Sequence, residues 1–392
     1  MKTNRTLRVV AALVATVLAV VAPTAAFADG PTSTSVGFSL TYTLTSAMSP
    51  DGSTIAWTDA TGGVVLLDVE TNTATTVTDA GAYFSNEANG LVFSPDGQTL
   101  YVANFVSQAG NVVVISVPQA ATTGVLTSPA FDGVWTMAIS PDGNTLYAAG
   151  NGNTSGIAVY DLLTDTAVLV PSVQDPYALF VSPDGSKVYN FDYDGNLDVL
   201  DTQSKTIVHS WHAPAGNYYN ACMNADMTEM FAPEYGGNDL YVISLSDGSV
   251  LRSTNSLGAE NGVASCAVAP DGKTVYLTDF GVGAQNAGGD PVTSPGAIYA
   301  VDPTSLARTA TYSFDAVAKT ITMNFFNGCA AYVGGYHGNA QVFEDPSSCH
   351  PTLPNTGINS TTKTALVALA LLALAAGTVA VGTGRRRIPA RS

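Results

Sequence analysis

Basic residues are scarce in this chain. It holds 14 Lys and Arg against 31 Asp and Glu. Between Asp29 and Thr356 only six bases remain (Lys187, Lys205, Arg252, Lys273, Arg308 and Lys319) beside all 31 acids, a balance of −25. Nucleic acid is thereby excluded as a partner, because counterion release needs clustered Lys and Arg. Charge of either sign is thin at 11%, which argues against long solvated helices and for many short strands joined by turns. Among four histidines none forms a metal-spaced pair, and His209 and His212 fall on opposite sides of a strand. No Gly-x-Ser-x-Gly elbow is present, so a hydrolase nucleophile of that type is missing.

What is abundant is a short hairpin. FSPDGQTLYVAN, residues 93–104, reads as a strand end, a tight turn at Pro95-Asp96-Gly97 and a second strand. Pro sets φ, Asp bonds back to the local backbone, and Gly takes a left-handed conformation without a Cβ penalty. The unit recurs at Ser49, Ser140, Ser182 and Ala269, with a degenerate copy at MNADMTEMFAPE. The turn aspartates Asp51, Asp96, Asp142, Asp184, Asp226 and Asp271 are spaced by 45, 46, 42, 42 and 45 residues. A fainter copy places Asn327-Gly328 at a turn. Each unit continues with an apolar third strand, such as 111–117 or 156–160, and a more polar fourth, such as 206–211.

Four strands in about 45 residues make the blade of a β-propeller. The expectation is an all-β, seven-bladed β-propeller of four-stranded antiparallel blades over residues 29–349. The last unit supplies only three strands, so GFSLTYTL, residues 37–44, is expected to complete the seventh blade and close the ring, which protects the sheet edges.

Both ends of the chain differ from this body. Residues 1–28 carry Lys2, Arg5 and Arg8, an apolar run over 9–21, and Ala26-Phe27-Ala28 as a small-x-small site, the pattern of a cleaved secretory signal peptide. At the other end Leu353, Pro354, Asn355, Thr356 and Gly357 precede an uncharged apolar helix over 365–382 and Arg385-Arg386-Arg387. That run just spans a membrane, with the arginines on the cytoplasmic side. The domains are therefore 1–28 (signal), 29–349 (propeller), 350–357 (linker and pentapeptide) and 358–392 (membrane segment and basic tail).

In pentapeptide, spacing, apolar segment and tail, this end resembles the LPxTG cell-wall sorting signal of Gram-positive surface proteins. The resemblance implies that a sortase cleaves between Thr356 and Gly357 and joins Thr356 to peptidoglycan, with the membrane a transient stop. The phrases LYVAN at Leu100 and VLDTQSKTIV at Val199 resemble the YVTN-type repeat of bacterial and archaeal surface propellers, whose relatives include lactonase-like folds. The resemblance covers roughly residues 38–344 and speaks to fold rather than ligand. The linker 346–356 reaches at most ~40 Å, so the propeller is expected to sit close to its attachment point.

Export with four cysteines invites two disulfides, in any of three pairings. Cys329 and Cys349 are expected to pair within the last blade, which leaves Cys222 and Cys266 on innermost strands of neighbouring blades. Their registers differ by one residue, so buried thiols compete with a bridge there.

Propellers bind ligands at the channel mouth, where the loops entering first strands meet those between second and third strands. Residues placed there are Glu87, Asn89, Asp132, Asp175, Tyr177, Asn217, Tyr218, Glu260, Asn261 and His337. Their carboxylates and amides suit a hard cation such as Ca2+, against the plainer reading of a solvated polar rim with no cofactor. Asp192, Asp194, Asn196 and Asp198 look like a calcium loop only superficially, with Gly195 misplaced, and read as a hairpin turn. Asp68, Asp161, Asp201 and Asp302 recur at third-strand ends and are expected to brace the next turn. The insertion 281–296 reads as a flexible loop.

The functional expectation is a wall-anchored, non-enzymatic binding module for an extracellular protein, glycan or small ligand. A lactonase-like or other hydrolase, calcium-dependent and centred on acids such as Glu87 or Glu260, is the alternative.

Overall fold

The computed structural model describes residues 32–35, 43–59, 63–80, 90–103, 111–127, 133–150, 156–172, 176–214, 216–259, 262–279, 297–313, 318–325, 330–337 and 341–344. Strands are the only regular elements among them. The signal 1–28, the expected helix 365–382 and the pentapeptide 353–357 lie outside the described residues, as does the Asn327-Gly328 turn.

Four of the hairpins are held by the same small network. Ser94 Oγ donates to Asp96 Oδ1 at 2.6 Å, the same oxygen accepts the Gln98 N–H at 3.0 Å, and Ser94 Oγ accepts the Thr99 N–H at 2.9 Å. Gly97 sits at φ +71°, where a Cβ costs about 1–2 kcal/mol. The turns at Ser49, Ser140 and Ser182 repeat the pattern. In the degenerate copy Asn224 Oδ1 takes the hydroxyl's place, accepting the Thr228 and Glu229 N–H groups at 2.9 Å each. Met227 stands where the others have Gly, at φ +50°.

Six blades are built from four consecutive strands each, spanning 43–77, 91–127, 136–171, 176–212, 222–254 and 263–313. The expectation of a seven-bladed propeller is therefore corrected: among the described residues the blades number six. The remaining strands come from both ends of the chain and form a composite sheet, in the order Thr32–Ser35, Gln341–Glu344, Ala330–His337, Ala318–Phe325. Its outer strand is Thr32–Ser35, not residues 37–44. The reason is connectivity: the segment that runs into the Ser49 turn must be the first strand of that hairpin, so Thr43–Met48 pairs with Thr54–Asp59 and is not available to the other end of the ring. Ala318–Phe325 lies against both Val263–Val268 and Thr43–Met48, which brings the two ends of the array together.

Strand alternation feeds two cores at once. In Thr99–Ala103, Leu100 and Val102 pack towards the preceding blade with Ala56 and Leu66, whereas Tyr101 and Ala103 pack towards the following one with Leu146 and Ala148. Both faces of each inner sheet are thus buried, and the core lies between blades. Three of the turns also interlock, since a Cβ on the hairpin Gly would meet the Pro of the preceding hairpin: Gly97 with Pro50, Gly143 with Pro95 and Gly185 with Pro141.

A disulfide joins Cys222 and Cys266, with Cα atoms 5.7 Å apart. Side chains that meet across the gap between neighbouring blades must leave opposite faces of equivalent sheets, so a one-residue offset is what such a pair requires. The expected pairing partners Cys329 and Cys349 lie outside the described residues.

Candidate functional site

Antiparallel order puts the hairpin turns and the third-to-fourth strand turns at one end of every blade. First-strand starts and second-to-third connections share the other end. The hairpin end is consumed by structure. Asp68, Asp161, Asp201 and Asp302 each accept N–H groups of the following turn. Their pKa values are lowered chiefly by those backbone bonds.

The opposite mouth carries a row of aromatic rings across three neighbouring blades. Trp135 and Tyr177 meet edge to face at 5.0 Å between centroids, Tyr177 and Tyr219 lie at 4.7 Å, and Tyr219 and Tyr235 stack at 4.6 Å. Tyr193 joins Tyr177 at 5.6 Å. All five are partly exposed. The Tyr235 phenol is pushed well above its ordinary pKa, first by burial and then by Tyr219, Tyr193 and Tyr177.

Backbone contacts fix this row. The Tyr235 N–H donates to Asn217 O at 2.6 Å, and the next residue, Gly236, donates to Val263 O of the neighbouring blade at 3.0 Å. Tyr218, adjacent to Tyr219, is fully buried and donates to Pro214 O at 2.7 Å.

Polar groups line the edges of the row. Asp192 accepts the Asn196 N–H and Nδ2–H at 2.6 Å each, which spends both its oxygens on a turn. Burial raises its pKa against those bonds, with Asp194 adding to the rise. His212 Nδ1 lies 3.0 Å from Asn196 Oδ1. Glu234 is raised by burial and by nearby Asp239. Asp198 lies elsewhere, between blades, accepting hydroxyls from Ser172 and Ser210. The DYDGNLD segment is thus a turn plus a strand, with its acids pointing to different places.

Of the residues anticipated at the mouth, the structure brings Tyr177 and Asn217 together with the aromatic row and buries Tyr218 beneath it. Glu87, Asn89, Asp132, Asp175, Glu260, Asn261 and the His337 side chain lie outside the described residues. Trp135, Tyr193, Tyr219 and Tyr235 were not anticipated. Their signal was positional: Trp135, Tyr177 and Tyr219 each stand seven residues before a turn aspartate, and Tyr193 and Tyr235 each nine after one. His209 does not join His212; it stacks on Trp211 at 5.3 Å in the outer strand. Among the described residues no group of three or more His, Cys, Asp or Glu converges as a metal centre. The residues expected to offer Ca2+ its ligands are mostly not among those described. No helix of the described residues is long and apolar enough to cross a membrane.

Residues 345–387 match the LPXTG cell wall anchor motif. The chain is accordingly a cell-wall-anchored surface protein of Gram-positive bacteria, and the motif implies sortase processing with covalent attachment to peptidoglycan. No curated protein matches the chain. Among solved structures it is similar to the Cps50 (Swd1) β-propeller domain of Myceliophteria thermophila, at TM-score 0.62 and 12% identity, covering 79% of this chain and 98% of that one. It is also similar to Kuenenia stuttgartiensis hydrazine synthase, at TM-score 0.53 and 17% identity, covering 63% and 73% respectively. At these identities the likeness concerns the β-propeller fold alone.

Proposed function

We propose that this wall-anchored propeller is a non-enzymatic binding module that engages an extracellular ligand through the mouth bearing the aromatic row. The single observation that carries the reading is the continuous, partly exposed run Trp135–Tyr177–Tyr219–Tyr235 at one end of three blades. Rings held half out of solvent by one another form a preorganised contact surface, and aromatic anchors of that kind dominate binding energy elsewhere.

A hydrolytic reading draws on the raised pKa values of Asp192 and Glu234. Asp192, however, is tied at both oxygens to Asn196, an arrangement that suits turn formation more than proton transfer. The test is to immobilise the purified full chain and screen it against soluble oligosaccharides, wall fragments and secreted proteins, in parallel with lactone and ester turnover assays. Saturable binding lost on Tyr177→Ala supports the reading. Reproducible turnover that Tyr177→Ala leaves intact and an acid-to-amide change at Glu234 abolishes would overturn it.

A further inference from the structure

We infer that the propeller stands on the wall hairpin side down: the end carrying the hairpin turns faces the peptidoglycan, and the mouth bearing the aromatic row faces away from it. This rests on the wall attachment and is independent of the binding role proposed above.

The composite sheet shows where the anchor leaves the ring. In blades 43–77, 136–171 and 176–212 the last residue of the third strand, Asp68, Asp161 or Asp201, pairs with the first residue of the fourth, Thr73, Thr166 or Thr206. A short turn at the hairpin end joins the two. Glu344 and Thr32 make the same pair in the composite sheet, but they belong to opposite ends of the chain and no turn links them. Glu344 instead runs directly into the anchor motif, residues 345–387. Glu344 also pairs with Ala330, the first residue of its neighbouring strand, as Asp201 does with Lys187. Two separate pairings thus put the exit at the hairpin end.

Length then decides orientation. Twelve residues, 345–356, lead from Glu344 to Thr356, where the motif implies the bond to peptidoglycan, and they reach at most ~40 Å. A six-residue strand such as Pro176–Val181 is about 20 Å long, and the turns at its two ends thicken the ring further. To set the mouth against the wall, the linker would first have to climb the rim. That course spends half its reach or more and holds those residues extended, at a cost in chain entropy. A linker that leaves Glu344 straight for the wall avoids the climb altogether.

The hairpin end is therefore an interaction surface with a defined partner, the glycan and peptide strands of the wall. Trp135, Tyr177, Tyr219 and Tyr235 lie on the side open to molecules arriving from outside.

Ser246 and Ser256 lie just beyond the two ends of the outer strand Val250–Thr254, the first at the hairpin end and the second at the mouth end, and both are exposed. Full chains carrying Ser246→Cys or Ser256→Cys are displayed on sortase-competent Gram-positive cells and treated with a small maleimide or with a maleimide carried on a large dextran. The parent chain supplies the background from its own cysteines. On intact cells Ser256→Cys is expected to take both reagents and Ser246→Cys the small one alone. Leu163→Cys, on a hairpin-end turn at 76% exposed, should follow Ser246→Cys. Once a muralytic enzyme has released the protein, all three should take the dextran equally and melt with the parent. Dextran labelling of both ends alike on intact cells, labelling at the hairpin end alone, or labelling at neither end overturns the inference.

Discussion

Gly248 lies directly beneath the indole of Trp211. The glycine closes the third-to-fourth strand turn of blade 222–254 at φ +73°, with its N–H on Ser244 O at 2.9 Å. Trp211 belongs to the outer strand Thr206–His212 of the preceding blade, and a Cβ added to Gly248 would collide with its ring carbons. Blade-to-blade packing at the rim therefore depends on a missing side chain. Gly248→Val should cost roughly 2–5 kcal/mol, from left-handed strain and overpacking together, and lower the melting temperature. In a Trp211→Ala background the same change should cost distinctly less. Equal costs in both backgrounds would show that the contact carries no energy.

Arg252 performs a similar joining role with charge. Its Nη1 and Nη2 donate to the two oxygens of Glu229 at 2.9 and 2.6 Å, and its Nε donates to Pro303 O of the next blade at 2.8 Å. Glu229 raises the guanidinium pKa, chiefly through this hydrogen bond. A planar fork is needed to make all three bonds, which an ammonium cannot reproduce. Arg252→Lys is expected to lose most of what Arg252→Ala loses, about 1–2 kcal/mol given the partial exposure of the pair. Denaturant midpoints of the two variants decide this; a lysine variant as stable as the parent would mean that charge alone suffices.

The disulfide between Cys222 and Cys266 closes a loop of 44 residues in sequence. Cross-links of that span stabilise by roughly 2–4 kcal/mol, mainly by restricting the unfolded chain. Reduction under native conditions should be slow, since both cysteines are buried, and the reduced protein should melt at a lower temperature. A paired Cys222→Ala, Cys266→Ala variant should match the reduced protein, and a variant as stable as the oxidised parent would refute the bridge's contribution.

That bridge also shows what was legible in the sequence. The repeating Ser-Pro-Asp-Gly turn is a local signal, complete within a few residues, and it marked the six continuous blades, the turn aspartates and even the degenerate copy around Asn224, whereas the count of seven leaned on the fainter copy at Asn327-Gly328. Relations between blades are not local. A one-residue offset between Cys222 and Cys266 reads as divergence along a strand, yet facing sheets turn the same offset into convergence. The closing strand was misplaced for a related reason: polar Thr32–Ser35 has no hydrophobic pattern, and only pairing with Gln341–Glu344 defines it. Of the aromatic row only Tyr177 was legible at the mouth; Trp135 and Tyr219 share its register, seven residues before a turn aspartate, but that register matters only once neighbouring blades are laid side by side.

Acid should expose the repeated turns. Asp51, Asp96, Asp142 and Asp184 have lowered pKa values, led by the hydroxyl bonds from Ser49, Ser94, Ser140 and Ser182, and Asp184 reaches about 2. A carboxyl with a depressed folded pKa binds fewer protons folded than unfolded, so its stabilisation is present above the unfolded value of about 3.9 and disappears as pH falls through the folded one. Burial raises Asp192 and Glu234 instead, and these two favour the folded state as pH falls towards the same unfolded range. The denaturant midpoint is therefore expected to stay level or rise slightly on acidification to about pH 4, then drop steeply between about pH 4 and pH 2. Asp184→Asn should shallow the steep limb, because its contribution no longer titrates. Asp192→Asn should remove part of any rise above it. A midpoint that declines steadily from neutrality, with both variants tracing the parent's curve, would mean that neither the turn aspartates nor the buried acids govern the acid response.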